Sequence, residues 1–376
     1  MQKKELKKKT NSDLRNAIYS QPNLVPVILE NIREELGAKI DEATANSIDN
    51  LFLTGCGDSY FAGVASEFAF RKFAHVDARP VEALNFSRYI AEHAPPKSAL
   101  IPVSNSGRVS RTIETATKAR GKLSTWALTD SPESKLAQAA DKVFHPGIPS
   151  MPSGGAGTRS YLASLLSLYA FAIHLGELRG VIDSREKDSL NNELDRVGEQ
   201  IERTLELSEK SVERYVKNFD QDIIFYVGGG PNEATAMYGA AKVMEALSLE
   251  GVAVELEEWA HLQFHTTFKN TPYMLIAPPG SSYDRVIEQA VGIKESGGML
   301  TSIVDEEDEQ VKSESEYVFR VHGPDMEAFS PLVYCVPLQL LAVDLADARN
   351  TSMQMRLDER RKEINFQQIF HSKIQG

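Results

Sequence analysis

Three segments of the chain combine glycine with small hydroxyl, thiol or amide side chains, a composition that suits the binding of an anionic group. They are Gly55-Cys56-Gly57-Asp58-Ser59, Ser104-Asn105-Ser106-Gly107-Arg108 and Ser153-Gly154-Gly155-Ala156-Gly157-Thr158. Glycine lets the backbone approach a ligand closely, and the amide groups that open the following helix favour negative charge. Ser110 and Thr112 add hydroxyl groups just behind the second segment. The alternative is that each segment is only a turn with a helix N-cap, but their recurrence favours a phosphate site.

The pattern that contains these segments occurs twice in the chain. Leu51–Gly63 has a counterpart in Ile223–Ala240, and a stretch that ends at Asp130 has a counterpart that ends at Asp305. The turn glycines of the first pair lie 173 residues apart, and the two aspartates lie 175 residues apart. A nearly constant offset of this length indicates two duplicated domains and not a solenoid.

Each copy alternates short apolar runs with amphipathic helical patterns, which predicts parallel strands buried on both faces. The predicted strands are Leu51–Thr54, Ser98–Val103, Thr125–Leu128, Ile223–Val227, Tyr273–Ala277 and Leu300–Val304. We therefore predict an α/β fold with two tandem, doubly wound (flavodoxin-like) parallel sheets and right-handed crossovers. Ligands of such sheets bind at the carboxyl ends of the strands, where the three segments fall.

The domain boundaries follow from the same patterns. We predict an N-terminal helical segment at 1–45, the first domain at 46–180, a linking helix at 181–220, the second domain at 221–348 and a C-terminal tail at 349–376. Apolar residues at helical spacing mark the linking helix: Leu190, Leu194, Val197, Ile201 and Leu205. The second domain has Pro278-Pro279-Gly280 where the first has hydroxyl groups, and proline removes amide donors. It is therefore predicted to be structural or to supply catalytic residues.

The composition sets further limits. The 376 residues are 42% hydrophobic and 25% charged, as in ordinary globular proteins, and the formal net charge is −12. An acidic chain repels phosphate backbones, so no nucleic-acid partner is expected. Two cysteines form no disulfide framework, and no uncharged apolar run of about 18 residues is evident, so no membrane partner is expected. We expect a soluble, reducing, cytoplasmic setting.

These motifs resemble the sugar isomerase (SIS) domain family, most of all the isomerase half of the glucosamine-6-phosphate synthases. The resemblance runs from Tyr19-Ser20-Gln21-Pro22-Asn23 to about Leu341, and Val336–Ala342 is similar to the family's last helix. It implies that a sugar phosphate binds the loop Ser104–Gly107 and the segment Cys56–Ser59. The full set of implied substrate contacts is Gly55, Cys56, Gly57, Asp58, Ser59, Ser104, Asn105, Ser106, Gly107, Val109, Gly157 and Thr158.

The resemblance also implies catalytic residues in the second domain. Lys242-Val243-Met244-Glu245 matches a Lys-x-x-Glu whose glutamate moves a proton between C1 and C2 of the sugar. His261 follows Glu245 by 16 residues and matches a histidine that helps to open the sugar ring, and Glu258 matches a family glutamate. One carboxylate shielded from water can remove a proton and return it one carbon away, and an imidazole exchanges protons near neutral pH.

Two departures leave alternatives open. The segment Glu258–Gln263 lacks the Gly-Pro and the lysine that flank the family histidine, so His265, one helical turn further on, is an alternative to His261. The tail lysine that forms an imine in the synthases falls at Arg361, which stays protonated and forms no imine. Lys362 could take this role after a one-residue shift, and Lys373 is a second candidate.

Three functions fit the sequence. The first is an isomerase that deaminates glucosamine 6-phosphate to fructose 6-phosphate and ammonia. The second is a deglycase that splits a phosphorylated fructosamine conjugate such as a lysine adduct, which the acidic Glu255, Glu257 and Glu258 would suit. The third is a non-enzymatic sugar-phosphate sensor. Met1 is followed by Gln2 and not by a cysteine nucleophile, so the chain is not expected to take ammonia from glutamine by itself.

The expected partners are a small sugar phosphate and a second copy of the chain. The resemblance implies a homodimer in which His261 completes the site of the neighbouring subunit. No cofactor is expected, because Gly228-Gly229-Gly230-Pro231 lacks the dinucleotide-binding pattern. No metal is expected either, since His261 and His265 are four residues apart without an evident third ligand.

Overall fold

The computed structural model describes residues 2–152, 156–352 and 357–375, with side chains from Thr10 onward. The chain divides into two compact units, each with its own sheet. The first-sheet unit comprises Asn23–Ser150, Arg159–Asp195 and Leu357–Gly376. The second-sheet unit comprises Met1–Pro22, Met151–Thr158 and Arg196–Arg356. Each unit is therefore assembled from three separate parts of the chain.

The first sheet has five parallel strands in the order β2-β1-β3-β4-β5. The strands are β1 (Asn50–Gly55), β2 (Asp77–Glu82), β3 (Ser98–Pro102), β4 (Ser124–Leu128) and β5 (Lys142–Phe144). The central strand β3 is buried at every residue, as expected of a strand covered on both faces. The strand order reverses direction between the neighbouring strands β1 and β3. The carboxyl ends of these two strands therefore form the crevice where such sheets bind ligands.

The second sheet repeats this topology with the strand order β10-β9-β8-β6-β7. Its strands are β6 (Ile223–Gly228), β7 (Glu250–Glu255), β8 (Pro272–Ala277), β9 (Met299–Asp305) and β10 (Tyr317–Val321). Each neighbouring pair is parallel, and β8 is buried along its whole length. The predicted α/β fold with two tandem doubly wound parallel sheets is confirmed.

The prediction of three strands in each copy is incomplete, because each sheet of the described structure has five strands. The four missed strands are β2, β5, β7 and β10, which lie at the edges of the sheets. Edge strands are less covered, so they carry charged residues in place of a continuous apolar run. The sequence of β7, Glu250–Glu255, begins and ends with glutamate, and β5 has three residues.

The helices surround the sheets and join the strands. They are α1 (Gln2–Tyr19), α2 (Val25–Lys39), α3 (Glu42–Asn46), α4 (Asp58–Ala74), α5 (Ala83–Asn85), α6 (Ser110–Ala119), α7 (Lys135–Ala139), α8 (Arg159–Leu178), α9 (Ser184–Asn218), α10 (Glu233–Leu247), α11 (Glu258–His261), α12 (Tyr283–Glu295), α13 (Gln310–Glu314), α14 (Pro331–Tyr334), α15 (Val336–Ala348) and α16 (Glu359–Phe370). The apolar stripe predicted for the linking segment lies on the 35-residue α9 and is buried, from Leu190 to Leu205.

Among the residues that the structure describes, two helical stretches are long and apolar enough to cross a membrane by length and composition alone, although the sequence showed no uninterrupted apolar run. They are Arg159–Leu178 and Glu327–Ala348, and 83% and 94% of their most apolar windows are buried inside the protein. Burial of this extent is what the core helices of a packed domain show.

Candidate functional site

The first predicted segment forms a tight turn between β1 and α4. A Cβ atom added to Gly55 would lie 2.7 Å from the side chain of Ser59, so the backbone at this position requires glycine. The carbonyl oxygen of Gly57 accepts hydrogen bonds from the amides of Tyr60 and Phe61 at 2.8 and 3.0 Å. Asp58 opens α4, so the segment sits at the positive end of a helix, where an anionic group is favoured.

The second predicted segment is fixed to the neighbouring strand β4. The amide of Ser104 donates to the carbonyl oxygen of Leu128 at 3.0 Å, and the amide of Asp130 donates to Asn105 at 3.1 Å. Ser104 is buried, Ser106 is half-buried and Asn105 is exposed. Hydrogen bonds therefore fix the backbone of the loop. Its side chains differ in exposure, because some face the protein and others face the solvent.

Gly107 closes this loop in a conformation that favours glycine. Its φ angle is +58°, and an added Cβ would lie 2.0 Å from the hydroxyl oxygen of Ser134. Val109 follows at the N-cap position of α6 with an extended backbone, and Ser110 begins the helix. The loop thus leads into α6, and the absence of a side chain at Gly107 avoids a clash with Ser134.

The first two segments lie side by side at the carboxyl edge of the first sheet. The thiol of Cys56 lies 4.0 Å from the hydroxyl of Thr112, and the amide of Val103 donates to Thr54 at 2.7 Å. Cys56 is exposed by surface area, yet its protein surroundings raise the pKa of the thiol, so it stays protonated at neutral pH. Cys56 therefore contributes a neutral side chain to this edge.

A buried charged cluster supports α6 beneath the second loop. The carboxylate of Glu114 is fully buried and pairs with the guanidinium of Arg88 at 2.5 Å and with that of Arg111. No local sequence pattern indicates this cluster, because Glu114 lies within the helical pattern of α6 and Arg88 belongs to a different element. The cluster fixes the helix whose first turn follows the loop.

The C-terminal residues of the described chain pack against the same helix, α6. Arg111 donates to the hydroxyl of Ser372 at 3.1 Å and to the carbonyl oxygen of Lys373. The Arg108 guanidinium lies 5.1 Å from the centre of the Phe370 ring. Lys373 thus lies beside α6, whereas the ammonium of Lys362 pairs within α16 with Glu359 at 2.8 Å. Arg361 lies in the first turn of α16, where its amide donates to Asp358.

The third predicted segment is described only in part and belongs to the second-sheet unit. Ser153, Gly154 and Gly155 lie outside the described residues. The carbonyl oxygen of Gly157 accepts a hydrogen bond from the hydroxyl of Tyr238 on α10 at 2.9 Å, and Thr158 is 2% exposed. Gly157 is therefore held against the helix that carries the predicted catalytic residues.

Within α10, Lys242 and Glu245 form an ion pair one turn apart. The Lys242 ammonium lies 2.6 Å from Oε2 of Glu245 and 4.7 Å from the centre of the Tyr238 ring. The Lys242 side chain is 1% exposed, whereas that of Glu245 is 36% exposed. A buried cation thus holds a carboxylate that ligands can reach.

The two candidate histidines lie on an exposed segment of the second-sheet unit. Nε2 of His261 lies 3.4 Å from Oε1 of Glu257, and the His261 side chain is 66% exposed. Arg285 also binds Glu257, at 2.6 Å, and this contact lowers the pKa of the Glu257 carboxyl. His265 packs edge-on against Phe264, with ring centres 5.7 Å apart. Both imidazoles are accessible on the surface of this unit.

The acidic residues near His261 are largely engaged with their own segment. The Glu255 carboxylate accepts hydrogen bonds from the amides of Glu257 and Glu258 at 2.7 and 3.2 Å, as a cap does for α11. Among the described residues, no group of three or more His, Cys, Asp or Glu side chains is placed to hold a metal ion.

The sequence model of the SIS domain matches the chain twice, over residues 46–174 and 219–348. The glutamine–fructose-6-phosphate aminotransferase (isomerizing) of Pyrococcus horikoshii is 27% identical over 333 residues, and that of Rhizobium meliloti is 26% identical over 339. Each match covers 88% of this chain and 54% or 55% of the relative, so the chain spans about half the length of these curated relatives.

Solved structures share the fold. The C-terminal domain of glucosamine-fructose-6-phosphate aminotransferase from Francisella tularensis superposes with a TM-score of 0.79 at 21% identity, covering 90% of this chain and 96% of that one. A glucosamine-6-phosphate deaminase from Thermotoga maritima gives a TM-score of 0.63 at 14% identity, covering 91% of this chain and 96% of that one. With two matched domains that account for most of its residues, the chain belongs to the SIS domain family.

Proposed function

We propose that this chain, an SIS protein of the phosphosugar isomerase type, converts glucosamine 6-phosphate and water into fructose 6-phosphate and ammonia. The observation that carries the proposal is the Lys242–Glu245 pair, in which a buried ammonium holds an accessible carboxylate at 2.6 Å. A carboxylate fixed in this way can act as a proton shuttle, because its orientation does not depend on solvent.

In the proposed reaction the Glu245 carboxylate removes the proton from C2 of the open-chain amino sugar. The C1 carbonyl oxygen takes up a proton, which leaves an enolamine between C1 and C2. Glu245 then returns its proton to C1, and the product is an iminium ion at C2. Water adds to C2 and ammonia leaves, so the ketone of fructose 6-phosphate forms without an external oxidant or reductant.

The phosphate of the substrate is assigned to the loop Ser104–Gly107 and the turn Gly55–Ser59. The support is their adjacency at the carboxyl edge of the first sheet, with Cys56 and Thr112 4.0 Å apart, and the helix that each segment opens. Hydroxyl and amide donors bind a phosphate without requiring a nearby cation.

Ring opening is assigned to His261 or His265, which are both exposed on the second-sheet unit. We further propose a homodimer in which this histidine serves the neighbouring subunit, and a soluble, cytoplasmic enzyme. The exposed apolar side chains beside the histidines, Leu262, Phe264 and Phe268, support contact with another chain.

A fructosamine-6-phosphate deglycase would use the same carboxylate chemistry. A lysine conjugate is less suited to the site than the sequence suggested, because the Glu255 carboxylate already accepts two backbone hydrogen bonds and Glu257 already binds Arg285. The deglycase and the non-enzymatic sensor are therefore the alternatives that an activity assay must separate.

The test is to incubate the purified protein with glucosamine 6-phosphate and with a fructosamine 6-phosphate, and to measure ammonia, free amine and sugar phosphates. Glu245→Gln should lower the rate of ammonia release by about 10²- to 10⁴-fold, since it removes the proton acceptor. Glu295→Gln, an exposed glutamate on α12, is the matched control and should keep the wild-type rate.

Two other results would exclude the deaminase, and a third would exclude the proposed role of Glu245. Amine release from the conjugate alone would establish the deglycase. Tight sugar-phosphate binding without turnover would support the sensor. Full activity of Glu245→Gln would remove that residue from the mechanism.

A further inference from the structure

Arg159, the first residue of α8, is a buried cation without a bonded partner among the described residues. The residue is 8% exposed, and its Nε–H group is enclosed by protein but makes no hydrogen bond. No ion pair holds its guanidinium within the described part of the chain. Because an arginine stays protonated, this largely buried charge has no ion-pair partner among the described residues.

Other half-buried arginines of the first-sheet unit are engaged in a different way. Arg33 pairs with Asp195 at 2.8 Å, and Arg179 donates to the carbonyl oxygens of Ala45 and Ile48 at 2.8 and 2.6 Å. Each of these arginines also has an Nε–H without a partner, but its terminal nitrogens are bound. Arg159 therefore differs from them, because no described residue bonds its terminal nitrogens, which leaves those nitrogens available to a ligand.

The surroundings connect Arg159 to the second predicted loop. Burial lowers the pKa of Arg159, and the Asp130 carboxylate acts in the opposite direction. That carboxylate is already used, because it accepts a hydrogen bond from the amide of Ile148 at 2.9 Å and lies 3.1 Å from Nε2 of His145. The amide of Asp130 in turn donates to Asn105 in the loop.

We propose that Arg159 binds an anionic oxygen group of the substrate beside the loop Ser104–Gly107. The inference rests on the proposed function and adds to it the Arg159 guanidinium as a cation that binds the substrate. Two groups have the required chemistry: the phosphate of the sugar, or a carboxylate on the amine part of a fructosamine conjugate. Either group would supply the counter-charge that Asp130 and the other described residues do not provide.

Isothermal titration of wild type and variants with three ligands tests the proposal. The ligands are glucosamine 6-phosphate and the fructosamine 6-phosphates made with glycine and with methylamine, of which only the glycine conjugate has a carboxylate. Arg159→Gln should weaken binding at least about tenfold, and Arg159→Lys should restore part of it. Arg185→Gln is the matched control, because Arg185 is exposed and follows the other end of α8, about 30 Å along the helix.

A loss for all three ligands assigns Arg159 to the phosphate, and a loss for the glycine conjugate alone assigns it to the carboxylate. Unchanged affinities in Arg159→Gln would overturn the inference while the proposed function stands, and no binding by wild type would overturn both. If Arg159→Gln does not fold, the Nε–H NMR signal of Arg159 in the wild-type protein, identified by its absence in Arg159→Lys, should shift on addition of ligand. A signal that stays in place would overturn the inference.

Discussion

The ammonium group of Lys242 and the carboxylate of Glu245 lie 2.6 Å apart on α10, with the cation buried and the anion accessible. This asymmetry gives the two residues different tasks. Lys242 is closed to ligands by its burial and acts through Glu245, so it is a positioning residue in the proposed reaction.

Lys242→Met should therefore reduce kcat by about 10²-fold with little change in KM, because it releases the carboxylate but removes no contact with the substrate. Steady-state kinetics on glucosamine 6-phosphate measure both constants. Lys294→Met is the matched control, since Lys294 pairs with Glu314 on the surface of the same unit. A kcat within twofold of wild type in Lys242→Met would show that Lys242 does not position Glu245 for catalysis.

Gly107→Ala should abolish tight sugar-phosphate binding, because an added Cβ would displace Ser134 and move the loop. Gly121→Ala is the matched control, because it tests the same substitution at a glycine with the same kind of backbone conformation. Gly121 also has a positive φ, of +74°, but an added Cβ would meet nothing within 4 Å. Both variants should lose about 1 kcal/mol of stability from backbone strain. Equal binding by the two variants in a titration with glucosamine 6-phosphate would contradict the prediction.

Glu114→Gln should destabilise the first-sheet unit by about 3–5 kcal/mol, because it leaves Arg88 and Arg111 with an uncompensated charge next to a buried position. Urea unfolding followed by circular dichroism measures this loss. Glu67→Gln breaks a more exposed pair with Arg71 in the same unit and should cost at most about 1 kcal/mol. A similar effect of the two substitutions would mean that the buried cluster adds no special stability.

His174 should make the stability of the protein depend on pH. Its Nε2 lies 3.2 Å from the carbonyl oxygen of Ile40, and burial lowers the pKa of the imidazole below its ordinary value of 6.5. Just below pH 6.5 the unfolded chain binds a proton that the folded chain does not, so stability falls as the pH falls through this range.

The free energy of unfolding at pH 7.5 and 5.5 tests this assignment. The difference between the two values should shrink in His174→Gln and persist in His93→Gln, which replaces an exposed histidine. A wild-type difference in His174→Gln would assign the pH dependence to other groups.

The interior of each sheet was predictable from the sequence, and the edges were not. Strands such as β8 are buried on both faces, so their sequences are continuous apolar runs. The strand β7 has only four small or apolar residues between two glutamates, a run too short to be identified as a strand from the sequence. The neighbourhood of Cys56 and Thr112 followed from topology, because parallel strands bring their carboxyl ends to one edge.

The contacts that support the candidate site could not be predicted from local sequence patterns. Glu114 meets Arg88, 26 residues earlier in the chain, and Asp130 meets His145, which directly follows β5. No feature of residues 357–375 indicates that they would lie against α6. The ligand roles of the two loops, Glu245 and the histidines stay predictions from the sequence, to which the structure adds geometry.

The assembly of each unit from distant parts of the chain has a consequence for synthesis on the ribosome. The contact between Arg111 and Ser372 spans 261 residues, and the hydrogen bond from Asn11 to Asp347 spans 336. The first sheet is translated before residues 372 and 373, so the surface of α6 around Arg111 remains uncovered until those residues emerge. Helix α1 is made long before α15, with which it forms its contacts. The nascent chain therefore exposes two uncovered surfaces, that of α6 around Arg111 and that of α1, for most of its translation. Chaperones that shield these surfaces would act throughout that interval.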